Sequence, residues 1–283
     1  MDFQSKQVQD FINQALEEDI KEGDHSSLAS IPKGTKGKAK LIFKDDGIIA
    51  GIELAQAILL RLDPKMNFDV FHRDGDEVMF GDIGFIAEGS VHAILAGERL
   101  LLNCMQRLSG IATQTNKLVR LMGKSTSKLL DTRKTTPNLR FLEKWAVTVG
   151  GGYNHRIGLY DMIMLKDNHN DYAGGITNAV NQTKDYLKRN NLSLKVEVET
   201  RNLEEVKEAL AVGGVDRIML DNFTPEAIVE ALAVIDKRVE TEASGGINES
   251  NLANYAATNV DFISIGALTH SVKSMDISLK ETD

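Results

Sequence analysis

The sequence predicts an α/β chain in two parts: helices with a mostly antiparallel sheet first, then an α/β barrel. Three observations carry that expectation. Within the first hundred residues, short apolar runs are separated by DDG, RDGD and GDIG, tight-turn signals of the kind that join paired strands. Beyond residue 127, apolar or β-branched runs alternate with helical segments, the mark of βαβ units and a parallel sheet. The residues closing these later strands, Lys166, Glu199, Asp221, Ser244 and Gly266, follow one another at gaps of 33, 22, 23 and 22. Such a gap holds one strand, one helix and two loops, which suits a closed or nearly closed barrel with its chemistry at the C-terminal strand ends. A doubly wound sheet is the structural alternative, but no GxGxxG opens the first unit.

Taken in order, residues 5–18 carry a helical stripe of Val8, Phe11, Ile12, Ala15 and Leu16. The next twenty residues are rich in turn formers and read as loop. KAKLIFK, NFDVFH, EVMF, GFIAE and SVHAIL read as strands, with one helix over 53–62 between them. A long helix then spans 97–123. SKLLDT, YDMIMLK, LKVEVET, DRIMLDN, VETEAS and VDFISIG are the barrel strands, and residues 139–149, 176–188, 202–211, 225–236 and 249–257 the helices between them.

Composition narrows the function. The chain has 283 residues, 42% of them hydrophobic and 26% charged, as in an ordinary globular protein large enough to need no disulfide staples. The single Cys104 lies in LLLNCMQRL and reads as a buried structural thiol. No run of about 18 apolar residues exists to cross a membrane. MDFQSKQVQDF lacks the basic and apolar regions of a signal peptide, so a cytoplasmic protein is expected. The net charge of −8 counts against phosphate-backbone binding by the whole surface.

Against that background, Thr132 to Lys166 holds six basic residues (Arg133, Lys134, Arg140, Lys144, Arg156, Lys166) and two acidic ones (Glu143, Asp161). Cations converging at strand ends would bind a small polyanion, because guanidinium forks match carboxylates and phosphates. The plainer alternative is a solvated patch. Glu197 and Glu199, two apart on one strand, share a face, and Asp221 closes the next strand. Glu199 and Asp221 suit Mg²⁺ held through water or a ribose diol, or else these acids pair internally with Lys166.

SGGI at 244–247 and IGALTHS at 265–271 follow the last two strands, where barrels often build a phosphate cradle from backbone N–H groups and a helix N-terminus. Ser244, Thr269 and His270 are donors there. VGGGYNHRIGLYD, 149–161, reads as a loop passing close to a ligand or another backbone, with His155 and Arg156 as a donor pair. His155 taken alone is more often a structural histidine. Trp145 reads as core. Lys166 offers a Schiff-base amine, as in barrel aldolases, but LKDN gives it no desolvated pocket.

EEDIKEGDHSS, GERLLLNCMQRLSGIAT, DTRKTTP, VGGGYNHRIGLYDMIMLKDNH, VEVET, IMLDNF, EASGGI and ISIGALTHS, in order from residue 17 to about 272, resemble the quinolinate phosphoribosyltransferase family. The resemblance implies an N-terminal α/β sandwich domain over 1–110 and an open, TIM-like α/β barrel of phosphoribosyltransferase type II over 111–270. The tail 271–283 would pack back on the first. It implies that phosphoribosyl pyrophosphate and quinolinate yield nicotinate mononucleotide, pyrophosphate and CO₂, with Mg²⁺, in de novo NAD biosynthesis.

By motif, Arg133, Lys134, His155, Arg156 and Lys166 resemble the site for quinolinate and the pyrophosphate-bearing substrate. Glu199 and Asp221 resemble the acids near the ribose and Mg²⁺. Ser244, Gly245, Gly246, Gly266 and His270 match the loops holding the 5′-phosphate. Arg99 resembles the arginine that reaches a partner subunit's pocket in a homodimer, and Lys134, Lys166, Glu199 and Asp221 would be the catalytic set. Asn138 stands where the family usually has Gly, and Asn170 replaces a usually apolar residue. The alternatives are a molybdenum-transport-associated homologue of the same fold, a nicotinate phosphoribosyltransferase, and a non-catalytic phosphoribosyl-metabolite binding protein.

Overall fold

A computed structural model describes residues 1–283, which form two compact units. One comprises Met1–Asn116, Trp145–Gly150 and Val272–Asp283, the other Lys117–Lys144 and Gly151–Ser271. The elements run α1 (Lys6–Ile20), α2 (His25–Ser30), β1 (Lys36–Phe43), β2 (Gly47–Ile48), α3 (Ile52–Leu62), β3 (Asn67–Val70), β4 (Glu77–Val78), β5 (Ile83–Ser90) and α4 (Val91–Leu121). They continue as β6 (Lys128–Leu130), α5 (Arg140–Val149), β7 (Ile163–Leu165), α6 (Asp167–Ala173), α7 (Ile176–Arg189), β8 (Val196–Thr200) and α8 (Leu203–Val212). The last are β9 (Arg217–Asp221), α9 (Pro225–Ile235), β10 (Glu240–Ser244), α10 (Leu252–Ala256), β11 (Phe262–Ser264), α11 (Ala267–His270) and β12 (Ile277–Thr282).

In the first unit, β12, β1, β5 and β3 form a four-stranded antiparallel sheet, and β2 pairs with β4. The stripe read on α1 buries Val8, Ile12 and Leu16, one residue per turn. Leu41 and Phe43 of β1 and Phe85 of β5 are fully buried, as are Leu54, Ile58 and Leu59 of α3 and Leu101 and Met105 of α4. Cys104 is buried as expected, and burial pushes its thiol up to about 12, so it is unreactive at neutral pH.

Two readings are corrected here. SVHAIL is not a strand: the chain leaves β5 at Ser90 and enters α4 directly at Val91, six residues before the expected start. Val91, Ala93 and Ile94 fit either period over so short a run, and the 31-residue helix that follows decides the matter. The loop after α1 also contains α2, whose first turn is capped by Asp24 accepting from the Ser26 and Ser27 N–H groups.

In the second unit, β6, β11, β10, β9, β8 and β7 form one parallel sheet. Tyr153 adds a parallel bridge to Leu130 on the outer side of β6, so strands in chain order are neighbours around a barrel left open between Tyr153 and β7. The residues singled out by the spacing of about 22 stand at the C-terminal ends of β8, β9 and β10, or just beyond β7 and β11. Asn138 adopts φ 62°, the left-handed turn its place in TTPNL requires. Gly150 answers the question posed by the triple glycine: a Cβ there would overlap the Ala112 carbonyl, so the close approach is to backbone.

Candidate active site

A cavity of about 800 Å³ opens at the C-terminal ends of the barrel strands. Arg133 and Lys134 enter it from the loop after β6, His155 and Arg156 from the segment after Tyr153, and Lys166 from the end of β7. Opposite them stand Glu199 of β8 and Asp221 of β9. Ser244, Gly245 and Gly246 follow from the end of β10, and Gly266 and His270 from the turn after β11. Of the six cations read between Thr132 and Lys166, four converge here and two do not. Arg140 donates to Thr135 Oγ1 at 2.9 Å and to the Ile157 carbonyl at 3.0 Å. Lys144 is buried against Asp131.

The cationic side is incompletely neutralised by the protein. Arg133 Nε is buried and accepted by no oxygen. Burial, and next the charge of Arg133, hold the Arg156 guanidinium below its usual pKa. Two guanidinium groups near enough to disfavour each other create a site that an anion would relieve.

Lys166 Nζ lies 3.3 Å from Glu199 Oε2, so one of the alternatives weighed for the acids, internal pairing with Lys166, applies to Glu199. The amine is half exposed and ion-paired, the opposite of the desolvated amine a Schiff-base enzyme prepares. Asp221 is raised by burial and then by the nearby Glu199 charge, and its Oδ2 accepts from Asn222 Nδ2 at 2.7 Å. Glu199 and Asp221 together form a hard oxygen donor set, the kind Mg²⁺ takes with a bound diphosphate.

The glycine loop at the end of β10 is locally dictated. Gly245 has φ 89°, and a Cβ there would overlap the Asn222 carboxamide. Gly246, at φ 64°, faces open space. Thr269 departs from expectation, because its hydroxyl is buried and donates to the Lys134 carbonyl at 2.8 Å, tying two loops together instead of facing a ligand. The helix after this turn, α11, is a single turn. Asn170 is buried and donates to the Glu199 carbonyl at 3.2 Å, fastening α6 to β8 behind the acid.

Beneath this layer lies a second one that the sequence reading largely missed. His155 Nε2 sits 3.0 Å from Glu197 Oε2 and 3.3 Å from Glu242 Oε2, and Arg217 Nη1 lies 3.0 Å from the same Glu242 oxygen. Glu197 and Glu242 are fully buried. Burial alone would lower the His155 pKa, but the two acids outweigh it and push the ring up to about 9. Against full protonation, His155 Nδ1 accepts the Arg156 N–H at 2.7 Å, and a second ring proton would displace that bond. We therefore assign the ring one proton, on Nε2. Burial and then Glu242 raise Glu197 to about 7. The three ligating atoms lie within 4.8 Å of each other, a spacing metals use, but the Arg217 guanidinium already supplies the cation.

Arg99 does not line this cavity. It stands on α4 in the other unit, with a side chain 72% exposed, 3.8 Å from Glu98.

Comparison with known proteins decides the family. Residues 24–109 match the model of the quinolinate phosphoribosyl transferase N-terminal domain, and 111–280 that of its C-terminal domain. The chain belongs to the quinolinate phosphoribosyltransferase family. It is 46% identical to the chloroplastic nicotinate-nucleotide pyrophosphorylase [carboxylating] of Arabidopsis thaliana, over 95% of this chain and 81% of that protein. A Bacillus subtilis protein described as a probable nicotinate-nucleotide pyrophosphorylase [carboxylating] is 42% identical over 98% and 94%. Among solved structures, NadC from Streptococcus pyogenes superposes with a TM-score of 0.94 at 40% identity, covering 100% of both chains. Human nicotinic acid phosphoribosyltransferase, at 12% identity and a TM-score of 0.64 over 96% of this chain and 74% of that one, shares the fold alone.

Proposed function

We propose that this enzyme of the quinolinate phosphoribosyltransferase family transfers the phosphoribosyl group of phosphoribosyl pyrophosphate to quinolinate, with decarboxylation, at the barrel cavity. The products are nicotinate mononucleotide, pyrophosphate and CO₂. One observation carries the placement: a buried, unpartnered Arg133 Nε beside Arg156, an arrangement suited to a dianion.

The roles follow from position. Arg133, Arg156 and Lys166 hold the two carboxylates and aim the ring nitrogen at the ribose C1. His155 shapes the floor with its ring, its Nδ1 accepting the Arg156 N–H and its Nε2 facing Glu197 and Glu242. Lys134 faces the phosphorylated substrate, and Ser244, Gly245, Gly246, Gly266 and His270 hold the 5′-phosphate. Positive charge develops at C1 as pyrophosphate departs, and Glu199 and Asp221 stabilise it electrostatically. Once the nitrogen is ribosylated, the cationic ring accepts the electron pair released as the C2 carboxylate leaves as CO₂. No covalent enzyme intermediate is needed. Glu199 and Asp221 also suit Mg²⁺, directly or through water, and the ion would neutralise the diphosphate.

The same reading makes the enzyme a cytoplasmic homodimer in which Arg99 of each subunit serves the other's cavity. The free buried thiol is consistent with a reducing compartment. Exposed Leu159, Tyr160 and Tyr172, the last 93% accessible, are consistent with a covered face near the strand ends. No helix is long and apolar enough to cross a membrane.

The test is a product assay by mass spectrometry with phosphoribosyl pyrophosphate, Mg²⁺ and quinolinate, and nicotinate in a parallel reaction. Nicotinate mononucleotide and CO₂ from quinolinate alone is the expected result. Product from nicotinate alone would replace this reading with the non-decarboxylating one, and silence in both would favour the transport-associated or binding-protein alternatives. For Arg99, mixing inactive Arg99→Ala and Lys166→Ala dimers should restore activity after subunit exchange, and no recovery despite verified exchange would count against a shared site.

A further inference from the structure

Just beyond the end of β6, Asp131 forms with Lys144 of α5 an ion pair whose side chains are closed to solvent. Burial raises the Asp131 carboxyl to about 6 and lowers the Lys144 amine, in each case against the pull of the partner. A buried pair of this kind stabilises a fold little more than two apolar side chains of the same volume would. Stability therefore gives no reason for two charges at this place, whereas their hydrogen bonds do.

Asp131 Oδ1 accepts the His155 N–H at 2.9 Å, and Lys144 Nζ donates to the His155 carbonyl at 3.1 Å. Both peptide groups flanking the His155 Cα are thus gripped from one side. With its amide oriented to satisfy both atoms, Asn154 donates to Asp131 Oδ2 at 2.6 Å and to the Lys144 carbonyl at 2.8 Å. The next residue along the chain is Arg156, whose guanidinium lines the cavity and whose Nη1 rests on the Met162 carbonyl at 3.1 Å. Asp131 lies two residues before Arg133, so the same carboxylate stands at the root of both arginine-bearing segments.

We propose that the buried Asp131–Lys144 pair is a positioning element for the acceptor substrate: it fixes the backbone at His155 and so sets where Arg156 meets the dianion opposite Arg133. Neither residue touches the substrate. The effect on turnover rests on the function proposed above, and the effect on the backbone does not.

The test compares two double variants with the parent enzyme. Asp131→Leu with Lys144→Met removes both charges and both hydrogen-bonding groups while keeping apolar volume. Asp131→Asn with Lys144→Gln keeps one acceptor for the His155 N–H and one donor for its carbonyl, without charge. The apolar pair should lose about 100-fold in kcat/KM for quinolinate, the scale of a misplacement near 1 Å. Its KM for phosphoribosyl pyrophosphate should stay within about twofold of the parent's. The neutral hydrogen-bonding pair should recover most of the loss. Should the apolar pair not fold, Asp131→Asn with Lys144→Met, which deletes only the donor to the His155 carbonyl, carries the same comparison.

Backbone amide hydrogen exchange over residues 153–158 supplies a readout independent of activity. Protection should persist in the parent and the neutral pair, and fall in the variant lacking the clamp. Equal protection in all of them, or full quinolinate turnover by a folded apolar pair, would overturn the proposal. A parent protein inactive on quinolinate but protected as expected would sink the functional reading and leave the clamp standing.

Discussion

The barrel carries two layers of charge that use the same residue types in opposite ways. In the upper layer, at the strand ends, Arg133 has a buried nitrogen with no acceptor, and Asp221 is raised by burial and its neighbour Glu199. In the lower layer, Arg217 meets Glu242 and His155 sits between two carboxylates. Every cation of the lower layer has an acid of the protein at hand, whereas in the upper layer Lys166 has Glu199 but Arg133 and Arg156 are left for a ligand to complete. Charge alone does not mark a binding residue. What distinguishes the layers is whether the protein itself supplies the counter-charge.

That contrast is broken most severely from above. Arg133→Ala or Lys166→Ala should lower kcat/KM for quinolinate by about 1,000-fold or more, since each removes a charged contact to the dianion. The melting temperature should stay within a few degrees of the parent's, because neither residue closes a buried pair of the lower layer. A variant with near-parental rates would remove that residue from the site.

From below, the expected order reverses. Glu242→Ala should cost about 2–3 kcal/mol in urea unfolding, because Arg217 and His155 lose their shared acid while Arg217 keeps Glu240 and His155 keeps Glu197. A loss under about 1 kcal/mol would mean that the lower layer is not a closed network.

The third prediction concerns pH. Glu197 is raised from its usual 4.5 to about 7, so the folded state holds a proton there that the unfolded chain releases above about 4.5. Its contribution is present at pH 4.5 and is lost as the pH rises to 7, by at most about 3 kcal/mol. Glu197→Gln should flatten that fall in stability across this window. An identical slope in parent and variant would show that Glu197 ionises normally.

The smallest effect is expected at the rim. Gly245→Ala should raise KM for phosphoribosyl pyrophosphate about tenfold and leave that for quinolinate unchanged, since its Cβ would press on Asn222 and distort the loop. Equal changes in both would place Gly245 outside a dedicated phosphate cradle.

How much of this was legible before the structure depends on the layer. The gaps of about 22 residues marked strand ends, and Lys166, Glu199, Asp221, Ser244 and Gly266 all border the cavity. The lower layer was legible in principle, through the period of two. Glu242 lies two before Ser244, as Glu197 lies two before Glu199, and Arg217 lies four before Asp221, so these residues share a face with those above them. Applying that rule to every barrel strand would have found Glu242 and Arg217. The sequence could not say that Lys144 is buried against Asp131 while Lys134 lines the cavity, because that depends on which face α5 buries. The short α6 and α11 were hidden because they are only seven and four residues long.

The central claim is that the upper layer is unfinished because a dicarboxylate finishes it. Calorimetric titration of the parent and of Arg133→Ala with quinolinate and, separately, with nicotinate tests this directly. The account predicts that the parent binds quinolinate at least about 100-fold more tightly than nicotinate, and that Arg133→Ala erases most of that margin. Equal affinity of the parent for the two acids, or an unchanged margin without Arg133, would contradict it.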